Sequence, residues 1–175
     1  KLGIMQPYFM PYIGYFQLIH ASDLFIIYDN IKYTKKGWIN RNRILCNGAD
    51  ATISLPLKSA SDPLDIVDRY LAEDFKPRKL IAQIEGAYRS APNFRATQQL
   101  LEDIITFEDR NLFRFNLNAI QKTCHFLGIT TPICVSSSFD VDHALKGQNR
   151  VLALCRSADA DIYINQIGGL DLYSK

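Results

Sequence analysis

The sequence lacks the features that assign a protein to a special class at first sight. It has no apolar run of about eighteen residues, so we expect no membrane span. Gln6, Pro7 and Pro11 interrupt its apolar start, so we expect that this start is not a signal peptide. A net charge of +2 is too small to indicate a nucleic-acid partner. A composition with 47% hydrophobic and 22% charged residues is that of a soluble globular protein, and we expect it in the cytoplasm.

Cofactor and metal motifs are also missing. The four cysteines (Cys46, Cys124, Cys134 and Cys155) include no Cys-x-x-Cys pair, so we expect reduced, buried thiols. The spacing of the donors in Asp140–His143 matches no metal site, and we predict none. Without a Gly-x-Gly-x-x-Gly or Walker-type loop, a dinucleotide cofactor or a P-loop enzyme is disfavoured.

The patterns that are present favour an α/β fold. The first 28 residues are predicted to form a strand, a loop, a helix and a second strand. Asn47-Gly48 predicts a hairpin in a small β-excursion over about residues 31–57, and helices are predicted over about 77–127, with Asn93 and Asn111 as caps. A strand over 129–135, a helix over 147–157 and a last strand over 162–164 follow.

This alternation predicts a mostly parallel, Rossmann-like sheet flanked by helices, with the hairpin excursion and a helical insert. A chain of 175 residues is typical of one domain, which we predict to span residues 1–175.

The loop that follows the first strand, Gln6–Tyr15, is the first candidate site. Open α/β sheets bind ligands at the carboxyl ends of their strands. Two prolines stiffen this loop, and the start of the next helix offers N–H groups to a phosphate or carboxylate. The alternative is a turn that only packs. The candidate binding residues are Gln6, Pro7, Tyr8, Tyr12, Gly14 and Tyr15.

A cationic segment around the only tryptophan is the second candidate. Arginine gives planar, bidentate contacts to phosphate, so the segment 35–43 is either an anion-binding face or a solvated hairpin. Its candidate residues are Trp38, Asn40, Arg41 and Arg43.

A serine-rich turn after the strand over 129–135 is the third candidate. Hydroxyls and backbone amides after a strand cradle oxyanions. Lys146 and Arg150 are one helical turn apart and face the same ligand if the segment is helical. Helix capping is the competing interpretation. The residues concerned are Ser136, Ser137, Ser138, Lys146, Gln148 and Arg150.

Three weaker candidates complete the set. Asn165, Gly168 and Gly169 follow the last strand and would lie at the same sheet edge as the first loop, or form a plain turn. Asp29 lies just beyond the second strand, where it would meet a substrate. Asp29 and His143 are the two candidates for the general base.

The chain resembles the WbqC-like family in motifs that run from end to end. They are the segments 3–16, with Gln-Pro-Tyr-Phe and Pro-Tyr-Ile-Gly-Tyr-Phe, 36–44, with Lys-Gly-Trp-Ile-Asn-Arg-Asn-Arg-Ile, 145–148 and 163–169. The resemblance implies a bacterial protein that takes part in making surface polysaccharide such as the lipopolysaccharide O-antigen.

A fainter similarity links the chain to the nucleotidylyltransferase and pantothenate-synthetase superfamily. Tyr12-Ile13-Gly14-Tyr15 stands where those enzymes have His-x-Gly-His, and Ser136–Ser138 with Lys146 or Arg150 stands where they have a serine-rich basic signature. Tyrosine stays neutral at pH 7 whereas histidine becomes cationic, so nucleotide binding is implied more strongly than phosphoanhydride chemistry.

Together these features predict an enzyme that modifies a nucleotide-linked amino sugar. It would join an acyl or aminoacyl group to the sugar, either as an ATP-dependent ligase, with ATP as the cofactor, or as a transferase that needs no ATP. A non-catalytic protein that binds sugar nucleotides or assembles a polysaccharide complex is the alternative. The residues expected in catalysis are Tyr15, Asp29, Arg41, His143 and Lys146.

Overall fold

The computed structural model describes residues 1–61 and 63–172, for the last three of these only as backbone. In chain order the described elements are β1 (Leu2–Met5), α1 (Ile13–Ala21), β2 (Leu24–Ile27), β3 (Arg41–Cys46), β4 (Ala49–Ser54), α2 (Pro77–Tyr88), α3 (Phe94–Ile105), α4 (Leu112–Phe126), β5 (Ile133–Val135), α5 (Gly147–Ser157) and β6 (Tyr163–Ile164). Short 3-10 helices lie at Ile66–Asp68, Ser136–Ser138 and Ile167–Leu172. None of the helices in the described part of the chain has the length and apolar character needed to span a bilayer.

The chain forms two units. Unit 1 contains Lys1–Pro7, Pro11–Ile31 and the chain from Gly128 onward, and unit 2 contains Tyr8–Met10 and Lys32–Leu127. The prediction of a single domain stays a prediction.

Unit 1 is built on a parallel sheet with strand order β5-β2-β1-β6. On one face Leu2, Ile4 and Ile26 pack against Val151 and Leu154 of α5. Because successive strand residues point to opposite faces, Phe25 points the other way. There it meets Tyr15 of α1 edge-on, with ring centroids 5.6 Å apart. Helices therefore cover both faces, and the α/β prediction is confirmed.

Gly3 allows α1 and β2 to close over β1. A Cβ at this position would lie 2.6 Å from Ser22 Oγ and 2.7 Å from Phe25 Cδ2, both of which are buried. A larger residue at position 3 would therefore force the sheet and helix apart.

Unit 2 contains the β3–β4 hairpin and helices α2 to α4. The hairpin turns at Asn47 and Gly48, whose φ angles of 53° and 79° are those that a tight hairpin turn needs, so this prediction is confirmed. The buried ring of Phe115 is the centre of an aromatic core, with the rings of Phe9, Phe75 and Phe107 within 6.5 Å of it.

The two predicted asparagine caps differ. Asn111 precedes α4 in extended geometry, and its Oδ1 accepts from Arg114 N at 3.0 Å, as predicted. Asn93 precedes α3 with φ −102° and ψ 10°, and its side chain caps nothing. Asn93 therefore stands at the predicted N-cap position but makes no capping hydrogen bond, because this backbone is not the extended form that aims an N-cap side chain at the first turn.

Candidate functional site

The candidate site lies where the four parallel strands of unit 1 end. We call this the carboxyl edge and define it by the residues that follow the strands: Gln6–Pro7 after β1, Tyr28–Asn30 after β2, Ser136–Ser138 after β5 and Asn165–Gln166 after β6. The chain moves outward from β1 to β2 and β5, then returns to place β6 on the other side of β1. Such a reversal opens a crevice at the strand ends, where open α/β sheets bind ligands.

Asp29 connects the ends of β2 and β5. Its carboxylate is buried and accepts hydrogen bonds from Ser136 Oγ at 2.8 Å, from Ser137 N at 3.0 Å and from Ser137 Oγ at 2.5 Å. The predicted serine turn and the predicted Asp29 therefore form one network. Ser138 is turned away, since its Oγ donates to the Val135 carbonyl at 2.7 Å.

Asn30 extends this network to His143. The Asn30 Oδ1 accepts from Nη2 of Arg150, which fixes the orientation of the amide because arginine is only a donor, and it lies 2.6 Å from Ser136 Oγ, whose single proton Asn30 and Asp29 share. The Asn30 Nδ2 therefore donates to His143 Nδ1 at 2.7 Å. An imidazole that accepts at Nδ1 carries its proton on Nε2, so the exposed His143 offers an N–H.

Arg150, a buried cation of α5, lies beside the carboxyl edge and contacts Asn30. It is only 8% exposed, and its Cζ lies 5.4 Å from the centre of the Tyr28 ring. Its Nε is buried and has no hydrogen-bond partner. Among the side chains that the structure describes, no carboxylate lies within the 4.0 Å of an ion pair with this guanidinium. A buried charge in this state is costly unless an anion meets it.

The start of α5 adds further donors beside Arg150. Gly147 has φ +51°, a left-handed conformation that glycine adopts without strain. The first turn of α5 has no acidic residue and no side-chain cap. Lys146, at the N-cap position, is exposed, and Gln148 is half-buried in the first turn. A helix N-terminus with these neighbours favours an anion.

A second pair of side chains lies at the ends of β1 and β6. The hydroxyl of Tyr12 is hydrogen-bonded to Oε1 of Gln166, and the Tyr12 ring covers Gly14, where a Cβ would lie 2.5 Å from the ring. Asn165 Oδ1 accepts from the backbone N–H of Gln166 at 2.8 Å. Gly169 is buried against the Asn165 amide, whereas Gly168 is exposed with open space around it.

Tyr15 and Gln6 hold the beginning of α1 against the end of β1. Tyr15 is fully buried, and its hydroxyl donates to the Gln6 carbonyl at 2.9 Å. Pro7 is also buried. Among the predicted residues of the first loop, Tyr12 is thus the exposed one, with 58% of its surface accessible.

In unit 2, Asn40 is held between two neighbours. Its Oδ1 accepts from Tyr33 Oη at 2.8 Å, and its Nδ2 donates to the Leu55 carbonyl at 2.9 Å. Burial raises the pKa of Tyr33, so this phenol keeps the proton that it donates. The contacts of Asn40 therefore fasten the beginning of the hairpin.

The arginines of this segment also have local partners. Arg41 donates from Nε to the Gly37 carbonyl at 3.2 Å and from Nη2 to the Lys36 carbonyl at 2.6 Å. Arg43 lies over the Trp38 ring, 5.4 Å from its centre, and its Nη1 is 3.5 Å from Asp50 Oδ2.

The tip of the first loop is bound to this segment within unit 2. Phe9 N donates to the Trp38 carbonyl at 2.9 Å. Asn42 Nδ2 donates to the carbonyls of Phe9 at 3.0 Å and Met10 at 2.7 Å, where the Met10 backbone has φ +48°. Tyr8, half-buried, precedes this tip. Two motifs that carry the family resemblance are thus in contact here.

The family model described as "WbqC-like protein family" matches residues 6–175. The chain belongs to the WbqC-like family. It is also 31% identical over 167 residues to uncharacterized protein Rv1507c of Mycobacterium tuberculosis (strain ATCC 25618 / H37Rv), an alignment that covers 94% of this chain and 71% of that protein. No solved structure matches the chain significantly. The predicted membership of the WbqC-like family is confirmed.

Two residues of the carboxyl edge of this WbqC-like chain were not singled out as candidates, although Gln166 lies within the segment 163–169 that carries the family resemblance. Asn30 joins Asp29 to His143 and Arg150, and Gln166 meets Tyr12. Both stand directly beside a predicted candidate in the sequence, which was the available signal. Their partners lie 113 and 154 residues away, and no local pattern reveals such pairs.

The thiols lie outside the set of residues that follow the strands. Burial raises the pKa of Cys124 to about 11 and also raises the pKa of Cys155, so both stay protonated at neutral pH. In the described part of the chain, no group of three or more His, Cys, Asp or Glu side chains is arranged to hold a metal ion.

Proposed function

We propose that this WbqC-like protein modifies a nucleotide-linked amino sugar in the synthesis of bacterial surface polysaccharide. In this proposal the carboxyl edge of unit 1 binds the phosphates of the substrate, and the reaction joins an acyl or aminoacyl group to the amino sugar. The family resemblance supports the setting, and the geometry of the edge supports the kind of ligand.

The buried Arg150 is the observation that carries this proposal. Its guanidinium lacks a carboxylate among the described side chains, and its Nε lacks any partner. Natural proteins pair buried charges, so an arginine in this state is suited to an anion that arrives from outside. The fork of N–H groups on arginine matches two phosphate oxygens at once.

The neighbours of Arg150 fit the same ligand. The N–H groups at the start of α5 and the exposed Lys146 add positive potential beside it. Asp29, the acid of this edge, is held by Ser136 and Ser137, which fix its carboxylate in place.

The edge also offers groups for acyl transfer. The amine of the sugar would attack an activated acyl carbon, so that a C–N bond forms, the bond to the leaving group breaks, and the proton lost by the nitrogen passes to the departing group. The Nε2–H of His143 and the ammonium of Lys146 would stabilise the negative oxygen that develops on that carbon. In the ligase form of the proposal ATP would activate the acyl group, and in the transferase form the acyl donor would arrive activated.

One observation favours a second candidate, a protein that binds sugar nucleotides without changing them. The carboxylate of Asp29 is held by three donors, and His143 presents a protonated nitrogen. Neither group is therefore ready to remove a proton from an amine.

Ligand binding to Arg150→Met tests the shared part of both candidates. We expect the variant to bind nucleotide sugars and pyrophosphate about 100-fold more weakly in calorimetric titrations, because it loses a charge-assisted contact. Since the unliganded protein no longer buries an unpaired charge, its melting temperature should not fall. Arg156→Met, an exposed site on the same helix, is the matched control. Arg150→Lys, which keeps the charge but not the fork, should give an intermediate affinity.

Unchanged affinity in Arg150→Met would contradict the proposal. Turnover then separates the two candidates. Incubation of the wild-type protein with a nucleotide amino sugar, ATP and amino acids, or with an activated acyl donor, should give an N-acylated sugar. Binding without any product would leave the non-catalytic candidate.

A further inference from the structure

Gln166 has a polar atom that the protein leaves without a partner. Its Oε1 is hydrogen-bonded to the hydroxyl of Tyr12, but its Nε2 is buried and has no hydrogen-bond partner. Turning the amide by 180° would exchange the two atoms and leave the carbonyl oxygen unpaired instead. In either orientation one side of this amide is unused, and a buried polar atom without a partner is costly.

The surrounding turn holds this amide in place. Asn165 Oδ1 accepts from Gln166 N at 2.8 Å, and Gly169 N donates to the Gln166 carbonyl at 2.8 Å. Gly169 has room for this contact only because it lacks a Cβ, since the Asn165 amide fills that space. The backbone of Gln166 is thus fixed from both sides, while half of its side-chain amide has nothing to bind.

Gln166 lies at the end of a strand where the sheet topology favours ligand binding. It follows β6, which lies beside β1, and the direction of the chain reverses between these two strands. This reversal is the place where open α/β sheets accept ligands. Tyr12, whose hydroxyl donates to the Gln166 amide oxygen, is largely exposed and belongs to the loop that follows β1.

We infer that Gln166 binds the edge of a nucleobase, which would make it the residue that recognises the nucleoside part of the substrate. This inference rests on the proposed function, because it assigns a place to the base of a nucleotide sugar. The unpartnered Nε2 is a donor for an acceptor on a base edge, and Oε1, which has a second lone pair beside the one that meets Tyr12, accepts from the adjacent donor of the base. The exposed Tyr12 ring supplies an aromatic face on which a base stacks.

The distance from the phosphate site agrees with this assignment. Arg150 contacts Asn30, which follows β2, and Gln166 follows β6. The single strand β1 separates these two strands, and neighbouring strands are about 4.8 Å apart, so β2 and β6 lie about 10 Å apart. A nucleotide that lies across the end of β1 would reach both.

Binding of nucleoside diphosphates to Gln166→Glu tests the inference. Titrations would use pyrophosphate and the diphosphates of uridine, cytidine, adenosine and guanosine. We expect one nucleoside diphosphate to bind the wild type at least about 10-fold more tightly than pyrophosphate. The variant keeps an acceptor for Tyr12 but loses the donor. Its affinity for that nucleoside diphosphate should therefore be about 10-fold to 100-fold lower than that of the wild type. Its affinity for pyrophosphate should change less than about twofold.

Two further variants make the test specific. Gln17→Glu makes the same chemical change at an exposed site of α1 and should leave all affinities unchanged. Gln166→Met keeps the approximate shape of the side chain without any polar atom. Its affinity for the preferred nucleoside diphosphate should fall as much as that of Gln166→Glu, and this result would separate the loss of the donor from the effect of the added charge.

The outcomes distinguish this inference from the proposed function. Equal affinities for pyrophosphate and all four nucleoside diphosphates, unchanged by Gln166→Glu but lost in Arg150→Met, would overturn the inference and leave the proposed function standing. Absence of binding to every probe would overturn both. A preferred base whose affinity depends on Gln166 supports the inference.

Discussion

The carboxyl edge of unit 1 and the segment Trp38–Arg43 of unit 2 both concentrate cations and amides, yet their side chains are partnered differently. In the segment, the side chains of Asn40 and Arg41 donate hydrogen bonds to backbone carbonyls at the end of the hairpin and in the loop before it. At the edge, Arg150 is buried with an unpaired Nε, and Gln166 has an unpaired Nε2.

This difference shows what distinguishes a binding site from a stabilised turn. Cations and aromatic rings occur in both regions, so composition does not separate them. Hydrogen-bond partners do, because a folded chain normally satisfies its buried polar groups. At Arg150 and Gln166, whose buried donors have no partner, we expect the missing partner to come from outside the chain.

Arg41→Ala gives the largest effect expected in a test of this comparison. The variant leaves the carbonyls of Lys36 and Gly37 without their charged donor, so we expect the free energy of unfolding to fall by about 2 kcal/mol. Urea unfolding measures this change. Arg78→Ala, an exposed cation on α2, is the control and should change stability by less than about 0.5 kcal/mol.

The affinity of Arg41→Ala for pyrophosphate decides between the two roles of this arginine. If its bonds to the loop are its whole role, affinity should stay within about threefold of the wild type. A loss as large as that in Arg150→Met would give Arg41 the catalytic or binding role that the sequence suggested, and the comparison would fail.

Much of the fold could be predicted because its signals are local. The apolar runs Leu2–Met5 and Leu24–Ile27 are short and flanked by polar or turn residues, and Asn47-Gly48 specifies its own turn. The order of the strands in the sheet, by contrast, has no local signal in the sequence. That β6 pairs with β1 depends on contacts between segments about 160 residues apart, which periodicity does not encode.

The candidate site shows the same division. Asp29 and Ser136 were selected because they follow predicted strands, and the parallel sheet brings them together. Whether Arg150 has a partner could not be predicted, since this depends on which side chains the fold places around it. Asn30 and Gln166 were missed for the same reason.

Tyr15→Phe probes the side of the carboxyl edge that is fully partnered. The variant removes the hydrogen bond to the Gln6 carbonyl in a buried site, and we expect a loss of about 1 kcal/mol in the free energy of unfolding. Tyr70→Phe, at a tyrosine that is 49% exposed, is the matched control and should have almost no effect. If Tyr15→Phe instead weakens nucleotide binding without a change in stability, its hydroxyl meets the ligand rather than Gln6.

Arg43→Ala should have the smallest effect. Arg43 and Asp50 are 58% and 70% exposed, so their ion pair is screened by water, and the Trp38 ring on which Arg43 stacks is itself exposed. We expect the free energy of unfolding to fall by about 0.5 kcal/mol, with the ion-pair share lost in about 1 M salt. A double-mutant cycle with Asp50→Ala isolates the ion pair, and Trp38 fluorescence follows the stacking. A cost above about 2 kcal/mol would mean that this surface pair stabilises the hairpin as strongly as Arg41, because measured surface ion pairs lie well below that value.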